Sequence, residues 1–186
     1  MLKKNLIAVA GFLMITGITQ AQDKYFTKSA KVEFYSKAPL EDIEAKNKTA
    51  AAILDTKTGA LQFSVTMKDF EFDKKLMQEH FNENYVESNK YPKADFKGTI
   101  TNNSEINYNK PGTYTAKVKG KMTIHGVTKD VETTGTIKVE GGKLEAVSSF
   151  NIQLSDYKIS IPSIVKDKIS NNVKVTVDTK LEPFKG

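Results

Sequence analysis

Two histidines, His80 and His125, and no cysteine make up the metal-ligating and nucleophilic side chains that this sequence offers beyond its carboxylates and hydroxyls. A three-histidine zinc site is therefore impossible and any His–Cys site is excluded, which leaves mixed histidine and carboxylate coordination as the one formal option. His125 stands in Ile124-His125-Gly126-Val127, where a tight turn needs a residue tolerant of left-handed backbone, so the spacing accounts for it as a turn residue on the polar side. His80 falls on the apolar stripe of a short helical segment and reads as a half-buried packing residue whose imidazole is within range of a ligand. Asp69, Glu71 and Asp73 alternate with Phe70 and Phe72, the pattern of a strand end with one polar side rather than of an acid–base pair. No serine occupies a Gly-x-Ser-x-Gly elbow, and no glycine-rich loop joins a strand to a helix, so acyl and phosphoryl transfer both lack their usual parts. The expectation is a protein that binds rather than catalyses, with no cofactor and no metal.

The elements that must position these residues are strands. Period-2 alternation marks eight of them, over 31–37, 49–55, 60–68, 94–101, 113–124, 127–139, 143–155 and 172–181. Three are readable down to register. Through His125-Gly126, Ile124 should face Val127, Gly120 should face Val131 and Tyr114 should face Ile137. Through Gly141-Gly142, Val139 should face Leu144, Ile137 Ala146, Thr133 Phe150 and Val131 Ile152, giving one apolar surface across three strands. Gly98, Gly120 and Gly135 lie on the apolar faces of their strands, where glycine marks a bend or a close approach. The segment 73–85 breaks the rhythm as a short amphipathic helix, with Asp73 as its N-cap and Leu76, Met77, His80 and Phe81 on one face. A further helical turn is expected over 39–45, from the spacing of Leu40 and Ile43. Eight antiparallel strands with such corners close into a barrel, which removes exposed edges. The predicted fold class is all-β: an eight-stranded antiparallel lipocalin-like barrel with one or two short helices.

Composition narrows the function. Lys3 and Lys4 precede an apolar run over 6–18 and then Thr19-Gln20-Ala21, which reads as a secretory signal peptide over 1–21 followed by a single domain over 22–186. The run is too short for a membrane span. An exported domain without disulfides points to a periplasmic location. The formal net charge of +6 contains no arginine at all, so the bidentate fork used to read bases and phosphates is missing and nucleic-acid binding is disfavoured. A barrel of this size is just wide enough to be filled by side chains or to hold one small ligand. Phe34, Phe63, Phe96, Met122, Phe150 and Ile152 point inward in either case.

Tyr91-Pro92-Lys93-Ala94-Asp95-Phe96, followed by Gly120-Lys-Met-Thr-Ile-His-Gly-Val-Thr-Lys-Asp-Val131, resembles the YceI-like family of polyisoprenoid-binding proteins. The helix ending in His80-Phe81, the stretch from Phe150 to Ile159 and the strand Val173-Lys-Val-Thr-Val177 resemble the family in the same order, so the likeness covers most of 60–182. The N-terminal third, with 36–45 at its centre, departs from the family's pattern. The resemblance implies non-catalytic, periplasmic binding of a hydrophobic ligand, a quinone or a polyprenyl phosphate, in an apolar cavity. Phe34, Phe63, Val65, Met67, His80, Phe81, Phe96, Val118, Met122, Phe150, Ile152 and Val175 are the candidate wall, and Lys74 and Lys75, near His80 at one mouth, are candidates to meet a polar head group. The alternative is a ligand-free barrel that serves as an envelope interaction module, with the Asn-rich loop 102–109 as its surface. The chain is expected to be a monomer or a homodimer and not to span a membrane.

Overall fold

The computed structural model describes residues 23–184; the leader expected over 1–21 lies outside them. Among the described residues there are nine strands, β1 (Lys24–Lys37), β2 (Asp42–Asp55), β3 (Ala60–Thr66), β4 (Glu71–Phe72), β5 (Lys93–Ile100), β6 (Gly112–Ile124), β7 (Val127–Glu140), β8 (Lys143–Gln153) and β9 (Asn172–Pro183), and one α-helix, α1 (Lys75–His80). Eight long strands follow the order β1-β9-β8-β7-β6-β5-β3-β2, and β1 pairs back onto β2, so the sheet closes into an antiparallel barrel. The two-residue β4 adds to the start of β2, with Ala45 opposite Phe72.

The β6–β7 hairpin has the expected register throughout, from Ile124 opposite Val127 to Tyr114 opposite Ile137. His125 and Gly126 both take positive φ, +51° and +72°, the two-residue turn whose twist matches the strands it joins. Val139 opposite Leu144 and Ile137 opposite Ala146 also hold, but the β7–β8 ladder ends at Gly135 opposite Ser148. The expected rungs between Thr133 and Phe150 and between Val131 and Ile152 do not form.

Two local expectations are corrected. Residues 39–45 are not helical: β2 begins at Asp42, and Ala45 sits opposite Phe34 in a ladder that runs to Lys37 opposite Asp42. A single apolar pair three residues apart could not outweigh the backbone bonds that the neighbouring strand supplies. The helix is shorter than predicted, with Lys74 rather than Asp73 at its N-terminal boundary and no side-chain cap; it continues as a wider turn over Phe81–Tyr85.

One end of the barrel is filled. Leu54, Leu144 and Leu181 are fully buried there, with Tyr25, Ile100, Ile137 and Val139 around them. The connection between β5 and β6 folds over this end, burying Ile106 and holding itself through asparagines. Asn102 Nδ2 donates to the Thr115 carbonyl at 3.0 Å and its Oδ1 accepts from Lys117 N–H at 2.8 Å. Asn103 Nδ2 donates to the Thr56 carbonyl at 2.8 Å and its Oδ1 accepts from the Tyr108 hydroxyl at 2.7 Å. Burial pushes the Tyr108 phenol up to about 12, so it stays a neutral donor. The Asn-rich loop thus plugs the barrel. Because Leu144 is completely enclosed, Leu144→Ala is expected to cost about 2–5 kcal/mol, read as a lowered urea midpoint at unchanged slope.

Candidate functional site: the apolar cavity

Toward the other end the barrel is hollow. A cavity of about 580 Å³ occupies it, within the roughly 300–1,000 Å³ usual for small-ligand sites. Strand alternation builds its wall, because every second residue of each strand faces the axis. β1 contributes Phe34, β3 Phe63 and Val65, β5 Phe96, β6 Val118 and Met122, β8 Phe150 and Ile152, and β9 Val175; Met67, just after β3, completes this set. Phe34, Phe63, Phe96, Val118, Phe150, Ile152 and Val175 are only half-buried although they point inward, since the space they face is open. A plugged core would have enclosed them.

An aromatic cluster stands where the cavity meets α1. The Phe34 ring lies 5.3 Å from that of Phe70, 5.7 Å from Phe72 and 5.4 Å from Phe81, and Phe72 and Phe81 are 5.1 Å apart. Phe70 and Phe72 were not among the expected wall residues. Their alternation with three carboxylates was legible, but the direction of that short segment depends on β4 docking against β2. Such pairs contribute about 0.5–1.5 kcal/mol each beyond the area they bury, so the cluster stiffens this side of the opening.

The mouth is edged by α1, by the β1–β2 hairpin and by the connection between β8 and β9. Leu40 N–H donates to the Asp167 carbonyl at 2.9 Å and Ser170 N–H to Ser36 Oγ at 3.0 Å, which ties the connection to the hairpin. Lys74 and His80 reach the cavity wall; Lys75 does not. Lys74 Nζ donates to Glu41 Oε1 at 2.7 Å, so the charge proposed for a head group already has a partner. His80 Nδ1 lies 3.4 Å from Asn84 Nδ2 and the residue is exposed. Glu41 and Lys168 also line the mouth, from segments that carry no distinguishing sequence signal. Burial raises the Tyr85 phenol above its ordinary value, so this lining residue is a neutral group at neutral pH.

His125 is the turn residue expected, but its ring is not on the polar side. The side chain is only 12% exposed. Nε2 lies 2.7 Å from Glu87 Oε2, Nδ1 lies 3.1 Å from the Tyr157 carbonyl, and Tyr91 packs edge-on with centroids 4.6 Å apart. Glu87 and Lys158, next to Tyr157, are the other non-glycine residues with positive φ among the described residues. Three strained positions thus gather around one clasp that joins the β6–β7 turn to the segments after α1 and after β8. Glu87→Ala is expected to lower stability by about 1–3 kcal/mol, by stranding the buried imidazole, with Glu87→Gln recovering part of the loss in thermal melts.

Among the described residues no cluster of three or more histidines and carboxylates has metal-binding geometry, and no helix is long and apolar enough to cross a membrane.

A closed antiparallel barrel around an apolar lumen defines a lipocalin-like shell. The YceI-like domain profile matches residues 24–181, and the chain belongs to that family. Three solved structures share its fold. A polyisoprenoid-binding domain from Saccharophagus degradans implicated in plant cell wall breakdown superposes with a TM-score of 0.76 at 12% identity, covering 88% of this chain and 100% of that one. Burkholderia cenocepacia BcnA gives 0.66 at 19% identity, covering 82% and 95%. The Campylobacter jejuni YCEI protein gives 0.55 at 16% identity, covering 100% of both. No curated protein sequence matches this chain significantly.

Proposed function

We propose that this protein is a non-catalytic carrier of a hydrophobic ligand, an isoprenoid such as a quinone or a polyprenyl phosphate, held in the barrel cavity. The observation that carries the reading is the 580 Å³ lumen walled by aliphatic and aromatic side chains. Binding there is driven by removing the chain from water. About 300 Å² of prenyl surface at ~25 cal/mol per Å² supplies ~7 kcal/mol, enough to offset the ordering of a flexible tail if the cavity is preformed. The name of the Saccharophagus relative, a polyisoprenoid-binding domain, supports the same ligand class. The leader-like sequence of residues 1–21 supports export and a periplasmic site of action.

The reading is tested by purifying the protein from cells that express the full chain, extracting it with organic solvent and identifying co-purifying lipids by mass spectrometry. A stoichiometric prenyl lipid, or submicromolar to micromolar affinity for added prenyl lipids, is the expected result. Protein that yields no lipid and binds none would overturn it.

A further inference from the structure

The barrel wall has a seam. β6 and β7 stay paired down to Ile124 opposite Val127, and β8 and β9 down to Gln153 opposite Asn172, yet β7 and β8 part company after Gly135 opposite Ser148. Residues 128–134 of β7 and 149–153 of β8 therefore border each other with no backbone ladder between them. At the parting point side chains take over: Ser148 Oγ donates to the Thr134 carbonyl at 3.1 Å and lies 3.2 Å from Thr133 Oγ1. The far end is held by His125, whose ring meets the carbonyl of Tyr157 just beyond β8. The seam is thus closed at both ends and unladdered in the middle.

The cavity reaches this seam. Its surface runs over the inward Val131, Thr133, Phe150 and Ile152 and continues onto Thr136 and Val147, which alternate with the inward Ile137 and Ala146 and so face outward. Val147 is 44% exposed, an apolar residue set outside the barrel where the lumen comes through. The residues at this crossing are small. A Cβ on Gly135 would sit 2.6 Å from the Val147 carbonyl oxygen, so a side chain there could not enter without pushing β8 away.

We infer that the β7–β8 seam is a lateral portal, through which the aliphatic chain of the ligand passes between the lumen and the outside; the inference rests on the carrier reading above. The β6–β7 and β8–β9 contacts on either side of it open only by breaking consecutive backbone hydrogen bonds, whereas along this stretch no such ladder joins β7 to β8. Separation of the two strands costs no ladder. An apolar chain laid along Val131, Phe150 and Ile152 keeps contact with hydrocarbon while it moves, and Val147 extends that track to the surface.

The test pins the seam from outside. Glu132 and Asn151 are exposed and would face each other if the ladder continued. The double variant Glu132→Cys/Asn151→Cys, in a chain with no other cysteine, is bridged by oxidation or by a short bis-maleimide, and loading with anthraniloyl-labelled geranylgeraniol is followed by stopped-flow fluorescence. Bridging is expected to slow association and release alike, by at least about tenfold, with Kd unchanged within about twofold and the reduced form behaving as wild type. Unchanged rates after bridging, or a weakened Kd at unchanged association rate, would overturn the portal. If the reduced form binds no probe, the carrier reading itself falls and takes the portal with it. Hydrogen exchange on the unmodified protein is an independent check: seam-facing amides in 128–134 and 149–153 should exchange at least about 100-fold faster than ladder amides of 136–140, and equal protection would count against the inference whatever the probe does.

Discussion

Val175→Trp is expected to abolish loading of a prenyl lipid, raising Kd at least about 100-fold, while moving the unfolding free energy by about 1 kcal/mol or less. The two halves of that result belong together. Val175 lies between Phe34 and Phe150 in the β1–β9–β8 ladders and faces the lumen. In a filled core an indole at such a position would overpack its neighbours, at a cost of about 1–3 kcal/mol. Here it enters space that is already empty, so it gains contacts and takes the volume that a ligand needs. Fluorescence titration and urea denaturation on the same preparation check both halves. Unaltered affinity would mean the ligand does not use this part of the lumen, and a loss of several kcal/mol would mean the space is not open. Placing a charge at Phe150 could not separate these cases, because a buried unpaired charge damages an ordinary core as much as a pocket.

The second large effect is expected at the β5–β6 ladder, where Gly98 and Gly120 face each other. A Cβ at Gly120 would lie 2.5 Å from the Lys97 carbonyl oxygen, 2.6 Å from the Gly98 Cα and 2.6 Å from the Phe96 ring; one at Gly98 would lie 2.5 Å from the Lys119 carbonyl oxygen. Two of the three atoms in the way at Gly120 are backbone and cannot rotate aside. Gly120→Val should therefore destabilise the protein by about 3 kcal/mol or more, or prevent folding, since relief requires β5 and β6 to separate. Gly120→Ala should cost less but still exceed about 1 kcal/mol, and Phe96, displaced from the glycine pair, should move into the cavity and weaken binding. Unfolding free energies from urea denaturation within about 0.5 kcal/mol of wild type for both variants would show that the strands can yield, and the close-approach account would fail.

Much of this architecture can be read from short-range pattern. The β6–β7 register follows from alternation and from a two-residue turn, both local features. The inward residues of the other strands follow from the same alternation once a barrel is assumed. The misreadings share another cause. Residues 39–45 lack strong alternation, and 42–45 are strand because β1 offers them a ladder. His125 has the signature of a turn, but its burial comes from Glu87 and Tyr157, 38 and 32 positions away. Nor does anything in the sequence of β7 or β8 announce that their pairing stops at Gly135: the alternation runs on unbroken past the point where the strands diverge.

Sequence alone determined that this chain is all-β, that it closes into a barrel, and which side chains face the axis, because side-chain direction along a strand depends only on parity. Whether the axis is occupied was a matter for tertiary structure. The same phenylalanines and valines would line a plug or a lumen, and the difference lies in how far apart the eight strands hold them. Separation across a barrel is set by the closure of the whole sheet, by the loop of asparagines that fills one end and by the helix and aromatic cluster that leave the other open. None of these is encoded in any one segment, so the cavity and its seam exist only in the assembled fold.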